Sequence, residues 1–499
     1  MNHALRRVSL VCLAMFLLLL VNANYVQGFE AGKLADGPGN GRTFALQYQY
    51  QRGSIVTSDN VTVAESKHIG GVYSYQRSYP AGSTYAPVTG YDTPYGKTGV
   101  EQGEDRLLAG TDPRLAVRNL IDLVTNKPRK GATVQLTINS AAQQAAYQAL
   151  KATGKPGGAV AIDPATGAIL ALASYPSFNP NKLATLNGNA LNKADQKYLT
   201  SPQQPLLNRA INETFPPGST FKVVTSSAAF SSGQYNPGTR YYAPTNLRLP
   251  GTTHELINYD NSPCNDGSNP TGTGKVPLIF AFTVSCNTVF GGLGMHLGGA
   301  ALRHQANAFG MNDSTLRIPI PVSASNYPPV SNPDYTAYSA IGQYNDAVTP
   351  LQEAMFAAAI ANHGTLMRPY LVQKVIAPNL TPLVTTQPSV LRHTVSPAVA
   401  ADVGRMMTDV VAQPYGTAHG IVADLGGITV AAKTGTAQNG ANNTGLDDAV
   451  FTSFAPVGNP QIAVGVVVKG GGLGADASAP VAVQIIKAYM DYLNSSAKR

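Results

Sequence analysis

The chain has 499 residues, of which 43 % are hydrophobic and only 12 % charged; its net charge is +8 and its pI about 9.2. That is more length than one ordinary domain needs and enough apolar residue for a sizeable core. The basic excess is scattered, with no Lys/Arg run, so it gives no reason to read a nucleic-acid site, and it suits an exported protein near an anionic surface.

Residues 1–27 read as a targeting segment. Arg6 and Arg7 precede the uncharged, Leu-rich run Val8 to Val21. Positive residues ahead of an apolar run hold the N-terminus in the cytoplasm. Ala23, Tyr25 and Val26 extend the run to about the 20 residues a bilayer needs. A single-pass membrane anchor is expected, with the rest of the chain outside the cytoplasm. The alternative is a cleaved signal peptide, because Val21-Asn22-Ala23 has the small-residue pattern of a cleavage site.

Residues 28–155 mix Gly, Tyr, Ser and Thr with short β-like runs such as Arg52 to Val56. One helix is expected near Asp112 to Thr125 and another from Ala141 to Leu150. No catalytic constellation stands out, so this part reads as a non-catalytic module, structural or partner-binding. Gly154-Lys155-Pro156-Gly157-Gly158 is short and flexible enough for a domain edge. From 156 to 499 a strand pair comes first, Ala159 to Ile162 and Ala168 to Leu172, around a Pro/Gly turn. Residues 176 to 214 read as polar and irregular. Later, Ala449 to Ala455 and Ile462 to Val468 flank Gly458-Asn459-Pro460 as a hairpin, and a last helix spans about Ala479 to Leu493. Strands at both ends of a helical middle predict an α+β domain whose first and last strands share one antiparallel sheet.

Chemistry concentrates around Pro217-Gly218-Ser219-Thr220-Phe221-Lys222. The prolines and glycine force a turn, and Ser219 opens an apolar helix that Ser231-Ser232-Gly233 ends. Residues three apart share a helix face, so Lys222 can set its amine beside the Ser219 hydroxyl. Burial would depress that amine's pKa and free it as a base, and the helix N-terminus would favour negative charge near the serine. Downstream stand Ser285-Cys286-Asn287 and Lys433-Thr434-Gly435, which with Ser219-x-x-Lys222 form an ordered acyl-transfer set. Ser285 can pass a proton between Lys222 and a leaving amine. The Asn287 amide can hold a substrate peptide group. Lys433 and Thr436 can hold a carboxylate, and Gly435 admits close approach to its strand. The substrate-binding set is thus Asn287, Lys433, Thr434, Gly435 and Thr436, with the Ser219 and Thr436 N–H groups as the oxyanion hole.

Literal copies occur elsewhere: Ser58-Asp59-Asn60, Lys97-Thr98-Gly99, Ser177-Phe178-Asn179 and Ser495-Ser496-Ala497-Lys498. The first three precede Ser219 and the fourth has no apolar run behind it, so all four read as structural. Of the three cysteines, Cys12 lies in the apolar run, while Cys264 and Cys286 are the exported pair. A disulfide between them is expected, closed by the polar loop Asn261 to Gly267 folding back over the motif; one buried and one exposed thiol is the alternative. No Cys/His spacing suggests zinc, and no cofactor is expected.

These motifs resemble the class B penicillin-binding proteins over nearly the whole chain. Asn208-Arg209-Ala210, Ile341-Gly342-Gln343, Thr349-Pro350-Leu351-Gln352 and Ala361-Asn362-His363-Gly364 match the family's intervening signatures. Arg52-Gly53-Ser54-Ile55 with Gly99, Glu101, Asp105, Leu108 and Gly110 resembles its N-terminal module, which gives Lys97-Thr98-Gly99 a non-catalytic home. Phe451-Thr452-Ser453-Phe454 departs from the aromatic pair common there, which leaves the pocket shape open. The resemblance implies a serine β-lactamase-like fold and a D,D-transpeptidase that cross-links peptidoglycan stem peptides through a Ser219 acyl-enzyme, with β-lactams as covalent inhibitors and a glycan polymerase or division protein as partner. Between the expected anchor and residue 156 there is too little chain for a glycosyltransferase, so a class A protein is not expected. A D,D-carboxypeptidase or β-lactamase would share the motifs; a silent β-lactam sensor or division scaffold is the alternative of another class.

Overall fold

The computed structural model describes residues 2–30, 47–71, 73–269, 271–421, 425–438 and 445–497. Helix α1 (Asn2–Tyr25) continues as a π-turn to Glu30. It carries the one stretch among the described residues that is long and apolar enough to cross a membrane, and none of that stretch is buried. The N-terminal module then lays down β1 (Ile55–Val56), β2 (Thr62–His68), β3 (Tyr75–Ser78), helix α2 (Ala116–Val124) and β4 (Thr133–Leu136). Its charges are paired inward. Glu101 is fully buried and accepts from Arg52 Nε at 2.7 Å and Arg77 Nε at 2.6 Å, while Arg52 Nη1 reaches Asp105 at 2.6 Å. Burial pushes the Glu101 carboxyl up, but Arg77 and Arg52 outweigh it and hold it below its ordinary value.

Helix α3 (Ser140–Ala152) starts where the Asn139 side chain accepts from the Ala142 N–H. β5 (Gly157–Ile162) and β6 (Ile169–Tyr175) form the expected hairpin. The stretch expected to be irregular instead folds α4 (Gly188–Leu199), capped by Asn187. Only Leu191 of α4 is buried, so this surface helix carries too weak an apolar period to be read. Then come α5 (Lys222–Ser231), α6 (Leu278–Thr283), α7 (Asn287–Leu297) and α8 (Pro350–Ala361). β7 (Val372–Ile376) and β8 (Pro382–Thr385) join the N-terminal sheet, whose order is β8-β7-β4-β1-β2-β3. After α9 (Pro397–Ala412), the chain ends with β9 (Ala431–Ala437), β10 (Asp448–Ala455), β11 (Ile462–Val468) and α10 (Gly474–Ser496). Packing therefore crosses residue 155 both ways: α3 lies on the second sheet, and β7 and β8 extend the first.

That second sheet runs β9-β10-β11-β5-β6, antiparallel throughout, so strands from both ends of residues 156–499 share it. All of β10 and β11 is buried, which explains their unbroken apolar runs: helices cover both faces. α8 packs on one face, α3 and α10 on the other. Every residue of α8 is buried, and Gly465 of β11 lets it come close, since a Cβ there would strike the Pro350 carbonyl and Ala354 N–H. α10 begins at Gly474 rather than near Ala479 and runs through Pro480. Its first turn rests on the backbone of Gly435 and Val450, so tertiary packing sets this start and the local proline signal does not.

Candidate active site

The edge strand β9, the N-terminal end of α7 and a turn before α5 meet in one cleft. Residues Gly218–Phe221 form a 3-10 turn that leads directly into α5. Gly218 has φ +55°, and a Cβ on it would lie 2.7 Å from the Thr436 carbonyl of β9. Only glycine lets the turn press this close, which sets the Ser219 backbone beside that of Thr436. Gly435 was expected to make room for substrate. The structure shows a different use: a Cβ there would meet the Pro217 carbonyl at 2.7 Å, so Gly435 also admits the serine turn.

Lys222 and Lys433 are both fully buried. Lys222 Nζ donates to the Ser285 carbonyl at 2.7 Å and to Asn287 Oδ1 at 2.8 Å, and lies 3.3 Å from Ser285 Oγ. Lys433 Nζ lies 2.8 Å from Ser285 Oγ and donates to the Thr434 carbonyl at 3.0 Å. The Ser285 hydroxyl therefore bridges the two amines. Among the described residues, neither amine has a carboxylate partner; the Phe290 and Phe282 rings stand 5.5 and 5.6 Å away. Burial, and then the nearby Lys433, pushes the Lys222 amine well below its ordinary value. Burial alone lowers Lys433 to about 7. A neutral amine has two N–H donors and one lone pair. Two carbonyl-type acceptors occupy the donors of Lys222, which leaves its lone pair for a proton.

Lys222 hydrogen-bonds to Ser285 and Asn287, and no hydrogen bond joins it to the Ser219 hydroxyl among the described residues. The cleft is about 630 Å³ and is lined by Ser219, Ser285, Asn287, Thr434 and Thr436, with Tyr338 and Gln343. Lys433 lies under its floor, so the hydroxyls of Thr434 and Thr436 are what a ligand meets on β9. Thr434 Oγ1 pairs with Thr417 Oγ1 at 2.7 Å.

Sequence reasoning missed Asn258. Its Oδ1 accepts from the Asn287 N–H at 2.7 Å and the Thr288 N–H at 3.0 Å, so it caps α7 from a distant loop. Caps are read from the residue just before a helix; here that residue is Cys286, whose side chain makes no cap. The structure bonds Cys286 to Cys264 instead, with Cα atoms 6.0 Å apart. The bridge and Asn258 tie one loop to the Ser285 motif.

The motif copies have other employment. Ser58 Oγ donates to the Ile138 carbonyl, and Asp59 accepts from Ser140 Oγ. Lys97 pairs with Asp105 at 3.2 Å. Ser177 donates to the Ser83 carbonyl, and Asn179 caps a short 3-10 turn. Lys498 lies outside the described residues.

Residues 157–491 match the family model of the penicillin binding protein transpeptidase domain, and residues 52–134 that of the penicillin binding protein A dimerisation domain. The chain belongs to the penicillin-binding protein transpeptidase family. This penicillin-binding protein is 42 % identical to the peptidoglycan D,D-transpeptidase PbpA of Mycolicibacterium smegmatis, over 95 % of its own length and 94 % of that relative's. It is 40 % identical to PbpA of Mycobacterium tuberculosis, over 98 % and 99 % of the two chains. Solved penicillin-binding protein A structures from M. tuberculosis superpose well: the imipenem acyl-enzyme complex at a TM-score of 0.84 and 39 % identity, covering 89 % of this penicillin-binding protein and 100 % of that chain, and the penicillin G acyl-enzyme complex at 0.82 and 38 %, covering 88 % and 100 %.

Proposed function

We propose that this penicillin-binding protein is a peptidoglycan D,D-transpeptidase that works through an acyl-enzyme on Ser219. One observation carries the assignment of roles: Lys222, about one turn on from Ser219, is fully buried with no carboxylate partner among the described residues and with both amine donors occupied. Ser219 Oγ attacks the carbonyl carbon of the penultimate D-Ala of a stem peptide, and its proton passes to the Lys222 lone pair. The tetrahedral oxyanion takes up the Ser219 and Thr436 N–H groups. As the C–N bond breaks, the Ser285 hydroxyl gives its proton to the departing D-Ala nitrogen and takes one from the Lys222 ammonium. Lys222 is neutral again, and the ester on Ser219 remains. An amine of a second stem then attacks the ester, loses a proton back through Ser285, and returns Ser219 to its hydroxyl form. Asn287 holds the donor peptide group; Thr434 and Thr436 hold its carboxylate, and the amine of Lys433 acts from beneath through Ser285.

β-Lactams acylate the same serine and stay bound, in this reading. Helix α1 anchors the protein in the cell membrane with the catalytic domain outside the cytoplasm. The module built on residues 28–155 docks a glycan polymerase or division partner, and the exposed apolar side chains of Val117, Leu120 and Val124 on α2 support this. Incubation with a fluorescent penicillin, with and without Ser219→Ala, tests the central assignment. Durable labelling that requires Ser219 is expected. Rapid turnover of the label would indicate a β-lactamase, and no labelling of the native chain a silent scaffold.

A further inference from the structure

Beneath the serine turn lies a carboxyl group that the reaction does not use. Glu353 sits in the first turns of α8, fully buried. Its Oε1 lies 2.8 Å from Thr220 Oγ1, and that hydroxyl lies 2.8 Å from the Pro217 carbonyl. Its Oε2 is buried without a hydrogen-bond partner. The rest of the residue is fixed, since its carbonyl accepts from Thr452 Oγ1 at 2.6 Å and its Cβ faces Gly465.

Counting protons decides the chemistry. The Thr220 hydroxyl has one hydrogen and two oxygen neighbours, and the Pro217 carbonyl can only accept. If Thr220 donates to Pro217, its contact with Glu353 is a hydrogen bond only when Glu353 supplies the hydrogen. A carboxylate here would hold a buried charge facing the Thr220 hydroxyl, with no cation from the turn, from α8 or from the sheet strands acting on it. We infer that Glu353 is a positioning residue for the nucleophile: as a neutral carboxylic acid it donates to Thr220, which in turn clamps the Pro217 carbonyl and so fixes the turn that aims Ser219. Burial pushes its pKa up, partly offset by the Thr220 hydroxyl, to about 8. Above that pH the acid has no hydrogen to give. Thr220 must then turn to the carboxylate, and Pro217 is released.

The inference rests on Ser219 being the acylated residue. The test measures second-order acylation by a fluorescent penicillin from pH 6 to 9.5, in the full chain and in Glu353→Gln, Glu353→Leu and Thr220→Val. Gln keeps a donor and cannot ionise. The expected result is a native rate that declines above about pH 8 and a Glu353→Gln rate that matches it at pH 7 without the decline. Glu353→Leu and Thr220→Val should acylate about tenfold more slowly than the native chain at pH 7, with the gap closing above about pH 8. A Glu353→Gln variant that keeps the alkaline decline would overturn the inference, and so would a folded Glu353→Leu that acylates at the native rate at pH 7. Should Glu353→Leu fail to fold, the pH comparison with Gln still decides. A native chain that takes no label fails the acyl-enzyme reading instead.

Discussion

Around Glu101 the protein buries two guanidiniums against carboxylates; around Ser285 it buries two amines with none among the described residues. Both places are fully desolvated, yet burial acts on them with opposite results. In the N-terminal module Arg52 and Arg77 satisfy Glu101 from both sides, at 2.7 and 2.6 Å, and the carboxyl ionises more readily than usual. In the cleft nothing opposes the desolvation of Lys222, and Lys433 adds to it, so the amine gives up its proton more readily than usual. A paired charge stays charged and holds structure; an unpaired one is driven neutral and becomes a base. Buried charge thus serves as a clamp in one region and, in the proposed reading, as chemistry in the other.

The largest expected effect removes the proposed base. Lys222→Ala should slow acylation by about 10²- to 10⁴-fold with the fold intact, measured by penicillin labelling beside circular dichroism. Next, Glu101→Gln leaves Arg52 and Arg77 buried with their shared anion gone. It should cost about 3–5 kcal/mol in denaturant unfolding while the folded protein acylates normally. Slowed acylation with unchanged stability would erase the contrast between the two clusters. The Cys264–Cys286 bridge closes a sequence separation of 22 residues, so Cys264→Ser should cost about 3 kcal/mol by the chain-entropy argument and slow acylation only modestly. The last effect is a gain rather than a loss. The Lys433 proton leaves at about 7 in the folded protein and at 10.5 in a free chain. A pKa lowered on folding means the unfolded chain binds more protons, so stability falls as pH drops from 10.5 through 7 and the loss is constant below. Lys433→Met should therefore raise the unfolding temperature at pH 7 and leave it nearly unchanged above pH 10.5.

What could be read from residues alone follows the same division. Ser219, Lys222, Ser285 and Lys433 were legible because their chemistry demands fixed local spacings, and each follows or opens a clear apolar run. The central hairpin was legible because β10 and β11 are apolar throughout. Contacts made across the fold were not. Asn258 caps a helix almost thirty positions away, and α10 starts on the backbone of Gly435. β7 and β8 carry no mark that they complete the sheet of another module. The burial of Lys433 beneath the cleft floor was equally silent, because a lysine ending an edge strand reads as a residue facing ligand. Glu353, fully inside an apolar helix, has no local signature at all.

The account stands on Lys222 being neutral because it is buried beside Lys433. The pH dependence of acylation in the native protein and in Lys433→Met measures this directly. The rate should rise with pH as Lys222 loses its proton, and removing the Lys433 charge should move that rise to higher pH, since one of the two causes of the lowered pKa is gone. A rise that stays in place or moves to lower pH in Lys433→Met, or a native rate that does not fall in acid, would contradict it.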